Sequence, residues 1–188
     1  MTTHILGVDI GVRGAVAILD EHGSLADVFD MPTLHDGPKN RRSINAPLLA
    51  EIIYKSHAIE AYVELVGPRP MEGAVGAFAF GDSKGVVRGV LAAAAIPTVF
   101  ITPQVWKRVV GLPPGKDQKD ASRSEAIRRW PGHAAQFKRQ CDDGRAESAL
   151  IGVAGLLKFP RLQIVPPVLY EERRGVAELE GLIHAPRN

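Results

Sequence analysis

The chain has 188 residues, of which 45% are hydrophobic and 23% charged, and its formal net charge is +2. This composition is that of a folded globular protein, and no apolar run approaches the ~20 residues that span a bilayer. The N-terminal residues do not have the pattern of a secretory signal, and a single cysteine, Cys141, excludes an internal disulfide. We therefore expect an α/β protein of the reducing cytoplasm with no membrane partner.

The first third of the chain predicts three strands joined by tight turns. Short apolar runs rich in β-branched residues are typical of buried strands, and such short connections favour an antiparallel meander. The polar stretch 32–45 then predicts an exposed loop, and the proline after Asn45 predicts a helix over 46–57. The three predicted strands cover 4–10, 14–19 and 25–31.

The remainder of the chain alternates strands with helices. This order predicts an α/β fold with a mixed five-stranded sheet, a three-strand antiparallel meander plus two parallel strands, and helices on both faces. We expect one domain over 1–159 and a peripheral C-terminal tail over 160–188. The predicted strands are 61–66 and 97–102, and the predicted helices are 74–95, 103–111, 121–130 and 142–159.

Two of the five predicted strands carry one acid each in an otherwise apolar run. Asp9 lies in ILGVDIG and Glu64 lies in AYVELVG, both near the carboxyl end of the strand. A buried carboxylate is costly unless something pairs with it, and sites of α/β proteins gather at this end of the strands. A buried structural hydrogen bond is the alternative for each acid, but two such strands favour a functional site.

A second pair of acids lies at the start of the last predicted helix. Asp143 and Glu147 are four residues apart, so they point the same way on a helix, and Glu147 continues into the apolar face. Four carboxylates that converge at one end of a sheet would repel one another unless cations joined them. An all-oxygen acidic cluster suits Mg²⁺ or Mn²⁺, and two such ions form the clamp used for phosphodiester hydrolysis, with Asp9 between them.

Four segments in this order resemble RuvC-type Holliday junction resolvases, in particular the phage-encoded branch, of the RNase H-like superfamily. They are GVDIGVRGAVAIL, YVELV, TPQVWKRVVGL with KDASR, and DDGRAESALIG, and the resemblance covers about residues 4–158. It implies an RNase H-like nuclease domain in which the catalytic, metal-binding acids are Asp9, Glu64, Asp143 and Glu147. The last two are four apart instead of the three of the cellular pattern, which leaves Asp142 as an alternative to Asp143.

A basic block follows the fifth predicted strand. Residues 104–129 carry seven basic and three acidic side chains, an excess that favours an anionic partner, with a solvated helical surface as the alternative. In the resembled family this region faces DNA, and Lys119 resembles the lysine near the active site, which implies a catalytic role for it on the scissile phosphate. The residues assigned to DNA contact are Arg69, Phe78, Phe80, Lys107, Lys116, Lys119 and Arg123.

Small residues recur at every fourth position of predicted helix 74–95. Glycine inside a helix costs about 1 kcal/mol relative to alanine, so the row calls for a close approach of another backbone. One interpretation is tight packing on the sheet or on a partner subunit's helix. The other is approach of a DNA strand, with Phe78 and Phe80 as wedges near the centre of a junction. The row is Gly73, Ala77, Gly81, Gly85, Gly89 and Ala93.

The tryptophans and histidines give no further site. We expect Trp106 and Trp130 to pack in the core or at its edge. The six histidines show no spacing typical of metal ligands.

These features predict a Mg²⁺-dependent, structure-selective endonuclease, in which Mn²⁺ substitutes, that resolves four-way (Holliday) DNA junctions by paired phosphodiester hydrolysis. Two symmetric cuts need two active sites related by a two-fold axis, so we expect a homodimer. The alternatives are an RNase H-like nuclease acting on other branched DNA or on structured RNA, and a non-catalytic junction-binding module. The segment DIGVRG also resembles the phosphate loop of actin-like sugar and acetate kinases, but no second glycine-rich phosphate loop appears.

Overall fold

The computed structural model describes residues 3–37, 41–67, 73–113 and 118–159, and for Gly37, Gln118 and Lys119 it describes the backbone alone. The predicted tail, 160–188, lies outside the described residues. The strands are β1 His4–Asp9, β2 Ala15–Asp20, β3 Leu25–Asp30, β4 Thr33–Gly37, β5 Arg41–Ile44, β6 Ala58–Glu64 and β7 Thr98–Ile101. The α-helices are α1 Ala46–Ser56, α2 Ala74–Ala93, α3 Pro103–Val109, α4 Gln118–Arg129 and α5 Asp143–Lys158. Two 3-10 helices, Pro131–Phe137 and Gln140–Asp142, lie between α4 and α5.

Five strands form one mixed sheet in the order β3-β2-β1-β6-β7. The pairs β1–β2 and β2–β3 are antiparallel, whereas β6 runs parallel to β1 and β7 runs parallel to β6. The predicted sheet, a meander plus two parallel strands, is therefore confirmed. Short turns build the meander, and helical crossovers build the parallel half.

Side chains alternate between the two faces of the sheet and form two apolar cores. On one face Ile5 and Tyr62 lie in a core with Leu150 of α5, and α3 and α4 pack there as well. On the other face Val8 and Val63 lie in a core that includes residues of α1 and α2. Helices therefore cover both faces, as predicted.

Helix α5 lies directly on β1, because glycines remove the side chains between them. A Cβ atom on Gly7 would lie 2.1 Å from the carbonyl oxygen of Ser148 and 2.7 Å from the nitrogen of Gly152. One on Gly144 would lie 2.5 Å from the carbonyl oxygen of Arg13, in the turn after β1. Real Cβ atoms are not found so close to backbone atoms, so these glycines fix how near the first turns of α5 come to the end of β1.

The predicted loop over 32–45 is wrong. Strands β4 and β5 form a separate antiparallel hairpin there, with Thr33 paired to Ile44 and Gly37 paired to Arg41. The segment is rich in turn-forming residues, and this composition predicts a loop. Its two short strands pair with each other and not with the main sheet. Several boundaries also move, since β6 begins at Ala58 and α4 begins at Gln118, each three residues before the predicted start.

Helix α2 buries only a narrow stripe, whose members are Ser83, Val87 and Leu91. Cβ atoms added at Gly81, Gly85 and Gly89 would meet nothing within 4 Å. The interpretation that these small residues pack on the sheet is therefore wrong, and they form an open face instead. Within the described ranges, no helix is both long enough and apolar enough to cross a membrane.

Candidate active site

Asp9 and Glu64 are the last residues of the adjacent parallel strands β1 and β6. The preceding residues, Val8 and Val63, are paired in the ladder and face α1 and α2. Because side chains alternate along a strand, Asp9 and Glu64 face the side of the sheet that α5 covers. We call the end of the sheet at which these two acids lie the acidic end.

Helix α5 brings the second pair of acids to the acidic end. It begins at Asp143, and the contact of Gly144 with the backbone of Arg13 and Gly14 holds its first turn against the loop that follows Asp9. Asp143 and Glu147 lie one helical turn apart. Two strands and one helix thus bring the four acids to the same end of the sheet.

The pKa of Asp9 reflects its burial and the charges around it. Burial raises the pKa of the Asp9 carboxyl well above its ordinary value, and neighbouring carboxylates raise it further, because both burial and negative charge disfavour ionisation. The Lys107 ammonium opposes them and lowers it. The contributing carboxylates, largest effect first, are Glu64, Glu147 and Asp143.

Two neighbouring residues of α3 hold the glutamates. The indole Nε1–H of Trp106, which is fully buried, donates a hydrogen bond of 2.9 Å to Oε1 of Glu64. The Nζ atom of Lys107 lies 3.8 Å from Oε1 of Glu147 and 5.1 Å from the centre of the Trp106 ring. From α4, the hydroxyl of Ser122 donates to the same Glu147 oxygen over 3.5 Å. The glutamates are thus oriented by an indole, an ammonium and a hydroxyl.

Asp142, the alternative to Asp143, is bound elsewhere. It is 1% exposed, and it accepts hydrogen bonds of 2.8 Å from the backbone nitrogen and from the guanidinium of Arg139. Burial alone would raise the pKa of Asp142, but the hydrogen bonds from Arg139 outweigh it and lower the pKa. Asp142 is also not among the acids that act on Asp9, whereas Asp143 is. The geometry favours Asp143 as the member of the acidic cluster.

The donor chemistry suits a hard divalent cation, because every acid at the acidic end offers only carboxylate oxygens. Within the described residues, however, no group of three or more His, Cys, Asp or Glu side chains is arranged to hold a metal ion. The contacts above give the reason, since Glu64 turns one oxygen to Trp106 and Glu147 turns one to Lys107 and Ser122. The charges are close enough to act on Asp9, but the oxygens do not converge on one point.

The residues that the sequence assigns to DNA contact differ in their exposure to solvent and in their partners. Phe78 is 79% exposed on α2, whereas Phe80 packs against the core beneath α1 and α2. The guanidinium of Arg123 binds Asp120 and the carbonyl oxygen of Lys138 at 3.1 Å, and its side chain is only 16% exposed, which favours a structural role. Lys107 lies among the carboxylates. Arg69, Lys116 and the side chain of Lys119 lie outside the described part of the chain.

Sequence reasoning missed the role of Trp106. It is buried, as predicted, but it also donates to Glu64, whereas the indole of Trp130 donates to the carbonyl oxygen of Gly23 at 3.0 Å, at the opposite end of the sheet. One sequence signal could have indicated this role. The dipeptide Trp106-Lys107 lies about one helical turn after β7, and it places a hydrogen-bond donor and a cation close to the neighbouring strand, β6.

No family model and no curated protein sequence matches the chain. Two structures of RuvC from Thermus thermophilus are similar to it, each with a TM-score of 0.54 and covering 81% of this chain. One, in complex with a Holliday junction substrate, is 13% identical and 94% covered; the other is 14% identical and 95% covered. A fowlpox virus resolvase bound to Holliday junction DNA is 16% identical, covers 81% of this chain and is itself 97% covered, with a TM-score of 0.48. The chain therefore has the RNase H-like fold of RuvC.

Proposed function

We propose that the chain is a divalent-metal-dependent endonuclease that hydrolyses phosphodiesters in four-way DNA junctions. The observation that carries this proposal is that two strands and one helix place four acids at one end of the sheet, where the charges of three of them act on the half-buried Asp9. Such a cluster is unfavourable by itself and becomes favourable when cations join it. The fold shared with a RuvC described in complex with a Holliday junction substrate supports DNA of this shape as the substrate.

The four acids would hold Mg²⁺, with Mn²⁺ as a substitute. When bound, the metal supplies an activated water and a counter-charge for the leaving oxygen. The charges of the other three acids all act on Asp9, so Asp9 would take part in holding the metal together with them. In the net reaction a water oxygen bonds to phosphorus, one phosphorus–oxygen bond breaks, and the released sugar oxygen takes up a proton. No protein atom becomes covalently attached.

The neighbours of the acids position them for this chemistry. Trp106 fixes the position of Glu64 through the hydrogen bond to Oε1. Lys107 offsets part of the negative charge around Asp9 and lies next to Glu147, where a phosphate would enter. Lys119 remains the proposed lysine for the scissile phosphate, from the first turn of α4.

Two symmetric cuts in one junction require a homodimer, and the open face of α2 supports one. Gly81, Gly85 and Gly89 would allow the helix of a second copy to approach closely. Phe78 is exposed at the end of α2 that follows β6 and remains the proposed wedge for DNA. We place the enzyme with its DNA in the cytoplasm.

The proposal is tested by comparing substrates. The full chain is incubated with a four-way DNA junction, a linear duplex of the same sequence and a structured RNA, each in Mg²⁺ and in EDTA. We expect paired cuts in the junction, only with Mg²⁺. Binding of the junction without cutting in Mg²⁺ or Mn²⁺ would identify a binding module, and cutting of the RNA alone would identify a ribonuclease.

The hydrogen bond from Trp106 to Glu64 leads to a specific prediction. Trp106→Phe keeps an aromatic ring in the core but removes the N–H group. Because a hydrogen bond to a carboxylate contributes about 1.5–3 kcal/mol, we expect the single-turnover cleavage rate to fall roughly tenfold or more, with junction affinity unchanged. The rate and the affinity are measured separately, the rate at saturating protein and the affinity in EDTA.

Trp130→Phe is the matched control, since it removes a similar hydrogen bond from a buried indole at the opposite end of the sheet. Both variants should lower the melting temperature, but only Trp106→Phe should lower the rate of the folded protein. Equal rates in the two variants would show that Trp106 serves packing alone.

A further inference from the structure

The hairpin β4–β5 is the main structural element that the proposed chemistry does not use. It follows β3, and the last residue of β3, Asp30, is paired through Ala15 to Asp9. Adjacent strands are about 4.8 Å apart, so Asp30 lies only about 10 Å from the end of β1, and the hairpin begins three residues after it. The hairpin therefore leaves the sheet at the acidic end.

The base of the hairpin is tied to the helix that carries two of the acids. Arg145 of α5 lies between Asp143 and Glu147 in sequence and makes two hydrogen bonds of 2.6 Å to the carboxylate of Asp30. Pro32 and Asn45 close the base through a hydrogen bond of 2.9 Å. The hairpin thus holds a fixed place relative to the carboxylates.

The charges on this hairpin face solvent. Arg41 and Arg42 are both exposed, and no ion pair joins either guanidinium to an acid in the described part of the chain. The one acid of segment 33–44, Asp36, accepts a hydrogen bond from Ser43 across the hairpin. Exposed arginines without acidic partners are typical of surfaces that bind phosphates.

We propose that the β4–β5 hairpin is a DNA-binding element that contacts the phosphate backbone of the junction arm next to the cut, through Arg41 and Arg42. The proposal rests on the proposed nuclease function. A strand rises about 3.3 Å per residue, so the path from Asp9 through Asp30 and the base of the hairpin places both arginines within roughly 35 Å of Asp9. One DNA strand carries a phosphate about every 3.4 Å, and this distance spans about ten nucleotides. These contacts fix the position of the arm and read no sequence.

The experiment compares two double variants of the full chain that lose the same charge. Arg41→Gln/Arg42→Gln alters the hairpin. Lys55→Gln/Lys158→Gln alters two exposed lysines at the opposite end of the sheet, in the last turns of α1 and α5. The affinity for a four-way DNA junction is measured in EDTA between about 50 and about 200 mM salt, where each lost phosphate contact reduces the slope of log affinity against log salt by ~0.9.

We expect the hairpin variant to bind the junction about tenfold more weakly at ~100 mM salt and to lose ~1.8 from the slope. The control should keep both values. Arg41→Lys/Arg42→Lys should retain most of the slope, because lysine also neutralises a phosphate. Melting temperatures verify that all variants are folded.

A hairpin variant that matches the control in affinity and slope, beside a parent that binds and cuts, would overturn the hairpin proposal alone. A parent protein that does not bind the junction would overturn the proposed function and the hairpin proposal together.

Discussion

Asp9→Asn is expected to stabilise the metal-free protein while it abolishes the response to metal. The substitution keeps the shape of the side chain and removes a charge that burial and three other acids disfavour. In EDTA its melting temperature should rise, by about 3 °C for each kcal/mol of relieved repulsion. Added Mg²⁺ should raise the melting temperature of the parent through binding to the folded state, but not that of the variant.

The stabilisation should depend on pH with a defined sign. Because the pKa of Asp9 is raised in the folded state, its contribution to stability is complete below the ordinary pKa and is lost as the pH rises through the raised pKa. The variant and the metal-free parent should therefore differ little near pH ~4 and increasingly at higher pH. Thermal melts in EDTA across this range measure the difference.

Asp20→Asn is the matched control, at the opposite end of β2. Burial raises the pKa of Asp20, but backbone hydrogen bonds from Ser24 and His22 outweigh it and lower the pKa. Removing this charge should lower the melting temperature and leave the Mg²⁺ response intact. An Asp9→Asn protein that melts below the parent in EDTA at neutral pH would contradict the account of the acidic cluster.

Gly7→Ala is expected to destabilise the protein strongly and to impair cleavage. The new Cβ atom would lie 2.1 Å from the Ser148 carbonyl oxygen, so α5 must move away from β1. Overpacking of this kind costs about 1–3 kcal/mol or more. Because α5 carries Asp143 and Glu147, the fraction that folds should also cut DNA poorly. Urea denaturation and single-turnover cleavage measure the two effects.

Gly132→Ala is the control for this change, because a Cβ atom at Gly132 would meet nothing within 4 Å. We expect its free energy of unfolding to change by less than about 1 kcal/mol. If Gly7→Ala were as stable and active as Gly132→Ala, the close packing of α5 on β1 would not be what positions the acids.

Much of the fold follows from local patterns in the sequence. Buried runs such as HILGVD and AYVE have the length and the β-branched content of strands, and the short turns between the first three leave only an antiparallel arrangement. Asp9 and Glu64 stand out because a carboxylate in such an apolar run is unfavourable unless another group pairs with it. The hairpin β4–β5 was missed because its strands are short, polar and rich in turn-forming residues, and pairing with each other is their main support.

The details of the site depend on the orientations of side chains, and the spacing of residues in the sequence does not reveal these orientations. Asp142 and Asp143 are neighbours in the sequence, and the hydrogen bond from Arg139 to Asp142 shows that their surroundings differ. The direction of the Trp106 indole is likewise a property of the packed core. The small residues of α2 have a helical period that fits a buried face equally well, and only the open space around Gly85 identifies an exposed one.

The central claim is that the acidic end of the sheet cuts DNA junctions through a metal bound by Asp9. Its most direct test is the cleavage of a four-way junction by the parent and by Asp9→Asn in Mg²⁺, with the affinity of each for the junction measured in EDTA. We predict equal affinity and a cleavage rate at least about a thousandfold lower for the variant. Cleavage by Asp9→Asn at the parent's rate would contradict the claim.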